Sequence, residues 1–396
     1  MDRAGFESLP DVFPSKRGYN SPTTAGRVWL TGRNQMLSTI LYFIAGLIVL
    51  IVGAELLVRG SSRLAAAFGV PPLVIGLTIV ALGTASPEIA VSLQAAVSGQ
   101  GDITIGNVIG SNIFNILFVL GVSAMFVNLV IAEQLIRLDA PIMIGISVLT
   151  YLLVVDRHLS WLDGAILIAG MLAYTVFSLR QSRKESKGVQ EEYAQEYAKK
   201  ESPTLPNILK YIAFIAAGLG LLVLGARWLV DSATSIAVSL GVSELVIGLT
   251  IVAAGTSLPE VATSVIAAIR GESDIAVGNA VGSNIYNLLG VLGIAGLLSP
   301  GGINIAENAF RFDLPVMIFV AVVTLPIFYI DNRISRLEGG VLFSYYILYT
   351  AYLVLRASEG AALPALTTFA LFYAPLTFLV ILTIALRSYF AKRRST

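Results

Sequence analysis

The chain has 396 residues, 56% hydrophobic and 13% charged, with a formal net charge of +1. Soluble domains carry about 25% charged residues, so this composition excludes an ordinary soluble globular protein. The near-zero balance gives no electrostatic pointer to a partner, and no nucleic acid is expected. With no cysteine in the chain, disulfides and thiolate metal sites are excluded as well.

Residues 1–35 are polar and rich in Ser, Pro, Gly, Lys and Arg. They cannot bury a core and are expected to form a disordered tail; they lack the apolar stretch and cleavage site of a secretory signal. Apolar runs at 36–58, 71–98, 103–128, 138–155 and 160–180 then read as five membrane spans, a repeat over 36–180. A charged segment over 181–205, with Arg183, Lys184, Lys187, Glu191 and Glu192, reads as a solvated cytoplasmic linker. Spans resume at 206–230, 244–270, 275–298, 312–330 and 337–356, a second repeat over 206–356. The last part, 357–396, holds an eleventh span near 364–390 and a basic end, Lys392-Arg393-Arg394. None of these runs alternates in polarity as barrel strands do, so the fold class is an all-α polytopic membrane protein.

Five is odd, so equivalent spans of the two halves cross the bilayer in opposite senses and the repeat is inverted. The distribution of basic residues orients it. With the amino terminus outside, the linker, Arg59, Arg63, Arg333, Arg336 and the carboxy-terminal cluster all fall inside. Arg3, Lys16, Arg17, Arg27 and Arg33 of the tail oppose this but are outnumbered. A multi-pass cell-membrane protein is expected, amino terminus out and carboxy terminus in.

Two glutamates stand inside apolar spans. Val74-Ile-Gly-Leu-Thr-Ile-Val-Ala-Leu-Gly-Thr-Ala-Ser-Pro-Glu88 returns as Val246-Ile-Gly-Leu-Thr-Ile-Val-Ala-Ala-Gly-Thr-Ser-Leu-Pro-Glu260, 172 positions later. At the same offset, Gly106-Asn-Val-Ile-Gly-Ser111-Asn-Ile-Phe-Asn115 returns as Gly278-Asn-Ala-Val-Gly-Ser283-Asn-Ile-Tyr-Asn287. An ionised carboxylate at bilayer depth costs several kcal/mol unless paired or hydrated, so such residues face a cavity and bind something. Pro87 and Pro259 lack an N–H, which is expected to free carbonyls near Ala81–Thr84 and Ala253–Thr256 from the helix ladder. Thr84, Thr256 and Ser257 add hydroxyls. Ser111 and Asn115 share a helix face, as do Ser283 and Asn287. Carboxylates, carbonyls, amides and hydroxyls suit Ca2+ and equally Na+, whereas zinc and copper want His or Cys. One Ca2+ would neutralise two carboxylates, and two or three Na+ would do nearly the same. A carrier that changes sides only when neutralised would exchange one cargo for the other.

These paired motifs resemble the α-repeats of the cation/calcium exchanger superfamily, and residues 36–356 are similar to prokaryotic sodium/calcium exchangers. The resemblance implies a ten-helix core of two inverted halves with ion sites at the midplane. It implies Ca2+ ligands at Glu88, Glu260 and the carbonyls of Thr84 and Thr256. It places flanking Na+ sites at Ala81, Ala85, Ser111, Ala253, Ser257 and Ser283, and a central polar pair at Asn115 and Asn287. Three features depart from the pattern. Asn115 and Asn287 are both neutral where many sodium-coupled relatives carry an aspartate. Ala85 stands where the second repeat has Ser257. The eleventh span is extra.

The reading is therefore a Ca2+/Na+ antiporter with Ca2+/H+ exchange as the alternative. The transported ions and the lipid bilayer are its partners; no cofactor, enzymatic activity or obligate protein partner is expected. Blander readings hold elsewhere. Gly46, Gly53, Gly218, Gly220 and Gly225 read as packing surfaces. Asp139 and Asp313, each two residues before a proline, read as helix caps. Glu55 and Arg227 align in the two repeats but should lie near opposite faces, unpaired. His158 reads as an interfacial loop residue.

Overall fold

A computed structural model of the chain describes residues 22–68, 72–196, 204–239 and 253–395. Among them, nine helices are long and apolar enough to cross a membrane, ten if one bent pair counts as a single span. Helices are the natural outcome, because a helix pairs its own backbone groups where no water can.

The helices run α1 Pro22–Phe68, α2 Leu73–Thr84 and α3 Ser86–Val97, bent by 47°, then α4 Gly101–Phe126, α5 Leu135–Leu153 and α6 Trp161–Glu196. The second half runs α7 Leu205–Ser239, a single turn Ala253–Gly255, α8 Leu258–Ile269, then α9 Ser273–Leu298, α10 Ala309–Tyr329 and α11 Arg336–Ala357. The extra helix α12 spans Leu363–Ser395. α1 reaches into the expected tail of 1–35. The helix already begins at Pro22, where proline is well suited to the first helical position and the apolar run behind it propagates the helix cooperatively; residues 1–21 lie outside the described residues. α6 continues through Glu196, over a stretch rich in Gln, Glu and Lys, which are good helix formers.

The core is built on α4 and α9, whose apolar windows are 78% and 83% buried, against 28% for α1 and α7. Both central helices carry a π-helical segment at matched positions, Asn115–Leu120 and Asn287–Val291. Such bulges interrupt the regular backbone ladder and concentrate at functional sites. Gly282 lets α9 touch α2: a Cβ there would lie 2.7 Å from the Leu77 carbonyl oxygen.

On the flank, α1 and α7 lie against each other along their length. A Cβ on Gly53 would sit 2.9 Å from the Gly218 carbonyl, and one on Gly218 would sit 2.8 Å from that of Gly53. Gly46 and Gly225 repeat the relation. Small residues permit this approach. Gly220 does not join the contact; nothing described lies within 4 Å of its Cβ position.

Two short ribbons, invisible in the span pattern, tie the halves together. β1 (Leu129–Val130) pairs antiparallel with β4 (Arg333–Ile334), in the register Leu129 to Ile334. β2 (His158–Leu159) pairs with β3 (Ile303–Asn304), in the register His158 to Asn304. α5 runs between β1 and β2, so one ribbon lies at each end of the bundle. His158 also meets Asn304 through its side chain, Nδ1 to Oδ1 at 3.0 Å.

The capping expectation for Asp139 and Asp313 is overturned. Both residues already have helical dihedrals at the end of a π-helical turn and make no side-chain cap bond, whereas a capping residue needs a non-helical backbone. Asp139 instead accepts from Tyr174 Oη at 3.1 Å and Gln134 Nε2 at 3.0 Å. Asp313 accepts from Tyr349 Oη at 3.0 Å. Glu55 and Arg227 are not paired with each other: Glu55 bonds Arg59 and Arg270, and Arg227 lies 4.0 Å from Asp231. The added α12 rests on α10 and α11, through Tyr345 Oη to Thr377 Oγ1 at 2.5 Å and Phe319 against Phe378 at 5.6 Å between ring centroids.

Candidate ion-binding site

Each half breaks a helix to present its glutamate. Ala85 (φ −73°, ψ 5°) ends α2, and Pro87 and Glu88 fall in the first turn of α3. Ser257 (φ −93°, ψ 11°) precedes α8, with Pro259 and Glu260 in its first turn. A helix amino terminus favours a negative charge, so the break itself helps to hold each carboxylate. The missing N–H of Pro87 releases mainly the Gly83 carbonyl, and Ser86 Oγ takes it at 2.6 Å. This narrows the expected set of freed carbonyls, because Ala81 O still accepts the Ala85 N–H at 3.0 Å. The Ala81 carbonyl also faces Thr84 Oγ1 at 3.3 Å and Ser283 Oγ at 3.4 Å.

Glu88 and Glu260 are 1% and 0% exposed, and Glu88 contacts Ser257, which stands three residues before Glu260. The halves interlock around them. Ser257 Oγ donates to Glu88 Oε1 at 2.7 Å and lies 3.1 Å from Ser111 Oγ, which reaches the same oxygen at 3.4 Å. Asn107 Nδ2 donates to Ser92 Oγ at 2.9 Å and to the Glu88 carbonyl at 3.3 Å, while its Oδ1 accepts from Thr256 Oγ1 at 3.3 Å. The mirror set is present. Asn279 Nδ2 donates to Ser264 Oγ at 3.0 Å and to the Glu260 carbonyl at 3.4 Å, and its Oδ1 accepts from Thr84 Oγ1 at 3.0 Å. Each asparagine thus joins its own half's glutamate turn to the other half's threonine.

The symmetry fails at the acids. Ala85 has no hydroxyl to match Ser257, and both carboxylate oxygens of Glu260 lack a hydrogen-bond partner, as does Glu88 Oε2. Asn115 donates through Nδ2 to Asn284 Oδ1 at 3.1 Å. Asn287 is fully buried, and neither atom of its amide has a partner. Burying a charge without compensation is costly, so the arrangement is one that a bound hard cation would complete with oxygen ligands. Among the described residues no group of three or more His, Cys, Asp or Glu gathers.

Of the expected site residues, Glu88, Ser111 and Ser257 are in direct contact. Thr84, Thr256, Ala81 and Ser283 join the interlock around them, and Asn115 and Asn287 are buried in α4 and α9. Ala253 opens the short turn Ala253–Gly255; the preceding part of its motif, Val246–Val252, lies outside the described residues. Asn107, Asn279, Ser92, Ser264 and Asn284 belong to the network and were not assigned from sequence. Their signal was present, since each stands at matched positions of the two repeats.

Two inverted helical halves that each place a buried acid at a broken helix, interlocked around a shared polar centre, define an ion-carrier class of membrane protein. The family described as "Sodium/calcium exchanger protein" matches residues 38–180 and 210–355. The chain belongs to this family. It is 32% identical over 343 residues to the sodium/calcium exchanger MaX1 of Methanosarcina acetivorans, covering 79% of this chain and 97% of that protein. It is 37% identical over 291 residues to the inner membrane protein YrbG of Escherichia coli strain K12, covering 73% and 88%. Among solved structures, the sodium–calcium exchanger NCX_Mj is similar at a TM-score of 0.68 and 31% identity, covering 79% of this chain and 97% of that one.

Proposed function

We propose that the chain exchanges Ca2+ for Na+ across the cell membrane as a secondary antiporter, by alternating access. The observation that carries this reading is the pair Glu88 and Glu260, one from each half, both buried, with Glu88 Oε2 and both carboxylate oxygens of Glu260 left without a hydrogen-bond partner. Ca2+ would be held by these carboxylates with the Thr84 and Thr256 carbonyls. Na+ would take flanking positions around Ala81, Ser111, Ala253, Ser257 and Ser283, with Asn115 and Asn287 between them. Either cargo neutralises the two acids. The empty pair carries two negative charges, which disfavours passage through the closed, dry intermediate; loaded transit in each direction then gives exchange. The amino terminus lies outside and the carboxy terminus inside in this proposal, and the working unit needs no protein partner.

A second reading, exchange of Ca2+ for H+, is favoured by one observation: Asn115 and Asn287 are neutral, which leaves Glu88 and Glu260 as the carboxylates of the centre among the described residues. Two nearby carboxylates resist double ionisation, so a proton can replace a metal charge. Ca2+ flux in vesicles separates the readings. Uptake driven by a Na+ gradient at clamped pH supports sodium coupling. Uptake driven by a pH gradient in Na+-free medium, with no response to Na+, overturns it.

A further inference from the structure

The orientation of one central amide is fixed by donor and acceptor logic alone. Asn284 Nδ2 lies 3.1 Å from the backbone carbonyl of Asn112. A carbonyl oxygen only accepts, so the Asn284 atom facing it is the nitrogen. A further contact of that nitrogen goes to Met143 Sδ at 3.7 Å. Asn284 Oδ1 therefore points the other way, to Asn115, 3.1 Å off. An oxygen needs a donor, so Asn115 presents its own nitrogen and keeps Oδ1 for the other side. That oxygen is buried and has no partner. It sits one turn beyond Ser111, whose hydroxyl reaches Glu88.

The inverted counterpart is not made. Asn112 Nδ2 meets Met317 Sδ at 3.6 Å, mirroring Asn284 and Met143. Yet Asn112 Oδ1 and both amide atoms of Asn287 are buried without partners. One central amide is held by hydrogen bonds and its equivalent makes none.

We propose that Asn284 is a positioning residue that locks the Asn115 amide oxygen toward the bound cation, leaving Asn287 as the adjustable member of the central pair. The proposal rests on the assignment of the cation to the Glu88 and Glu260 site. It has a consequence of sign. Aspartate at 115 has no N–H, so a carboxylate oxygen would face Asn284 Oδ1, and Asn284 cannot turn without losing the Asn112 carbonyl. At 287 the matching side chain, Asn112, holds its amide only through Nδ2 to Met317 Sδ at 3.6 Å, so it can turn that nitrogen toward an aspartate there. A charge argument alone treats the two positions alike.

The experiment measures initial Ca2+ uptake in vesicles against Ca2+ concentration for Asn115→Asp, Asn287→Asp and Asn284→Leu, with unfolding temperatures and with Glu88→Gln as a control. Asn287→Asp is expected to lower the half-saturating Ca2+ and Asn115→Asp to raise it. Asn284→Leu should raise it roughly tenfold or more, as loss of a partner that orients a metal ligand does, with the maximal rate little changed. A purely structural role would lower the maximal rate and the unfolding temperature together. Shifts of the same sign at 115 and 287, or an unchanged half-saturation in a folded Asn284→Leu, would overturn the proposal. If Asn284→Leu fails to fold, the comparison of 115 with 287 decides alone. Normal uptake in Glu88→Gln would instead overturn the site assignment itself, a distinguishable result.

Discussion

Ser257 Oγ stands 2.7 Å from Glu88 Oε1, so the second half of the chain donates a hydrogen bond to the acid of the first. The reverse contact cannot form, because Ala85 occupies the matching position and has no hydroxyl to offer Glu260. The two acids therefore differ in their surroundings although their sequence motifs are nearly the same.

That asymmetry is testable by exchange of the two side chains. Ser257→Ala should raise half-saturating Na+ or Ca2+ roughly tenfold, the scale of a lost hydrogen bond to a charged group. Ala85→Ser should shift it the other way by supplying Glu260 with a donor. Initial-rate flux at varied cation concentration reads both; shifts absent in both variants would remove the hydroxyl from cation binding.

Asn279 holds Thr84, Ser264 and the Glu260 carbonyl at once. Asn279→Ala leaves three buried groups without that partner, at about 1–3 kcal/mol for an unsatisfied group. A clear drop in unfolding temperature is expected, with a comparable drop for Asn107→Ala, its counterpart. Asn279→Asp keeps the acceptor for Thr84 and should fall between wild type and Asn279→Ala.

Glu55 on α1 joins Arg270 at the end of α8, a link between the flanking pair and the site-bearing helices. The side chains are 23% and 41% exposed, so the coupling should be modest, about 1 kcal/mol or less, and weaker in high salt. A double-mutant cycle of Glu55→Gln and Arg270→Gln on thermal unfolding measures it. Strict additivity of the two would show that the contact contributes nothing.

Gly53 and Gly218 approach so closely that any side chain forces α1 and α7 apart. Gly53→Leu should destabilise by at least the ~1–3 kcal/mol typical of overpacking. Gly220→Ala, where a Cβ meets open space, should be neutral or slightly stabilising through its better helix propensity. Unfolding temperatures of the two variants in one detergent give the comparison.

Much of this arrangement is legible in the sequence because repetition is. The glutamate motif and the asparagine motif recur at one offset, and an odd number of apolar spans implies inversion. What the sequence hides has physical reasons. The two-residue ribbons are too short to carry an alternating pattern. Asp139 looks like a cap beside Pro141, yet the π-helical turn Leu135–Asp139 keeps its backbone helical and turns it over to Tyr174. The link of Asn107 to Thr256 crosses 149 residues, and only the fold brings such partners together. Helix continuation from Pro22 and through Glu196 reflects cooperativity that hydropathy does not register.

The central claim is that one acid from each half holds the transported cation. Ca2+ uptake into vesicles driven by an outward Na+ gradient, compared between wild type, Glu88→Gln and Glu260→Gln at equal amounts of folded protein, tests it most directly. The account predicts that either substitution abolishes uptake while the unfolding temperature is kept or raised. Uptake at the wild-type rate in both variants would contradict it.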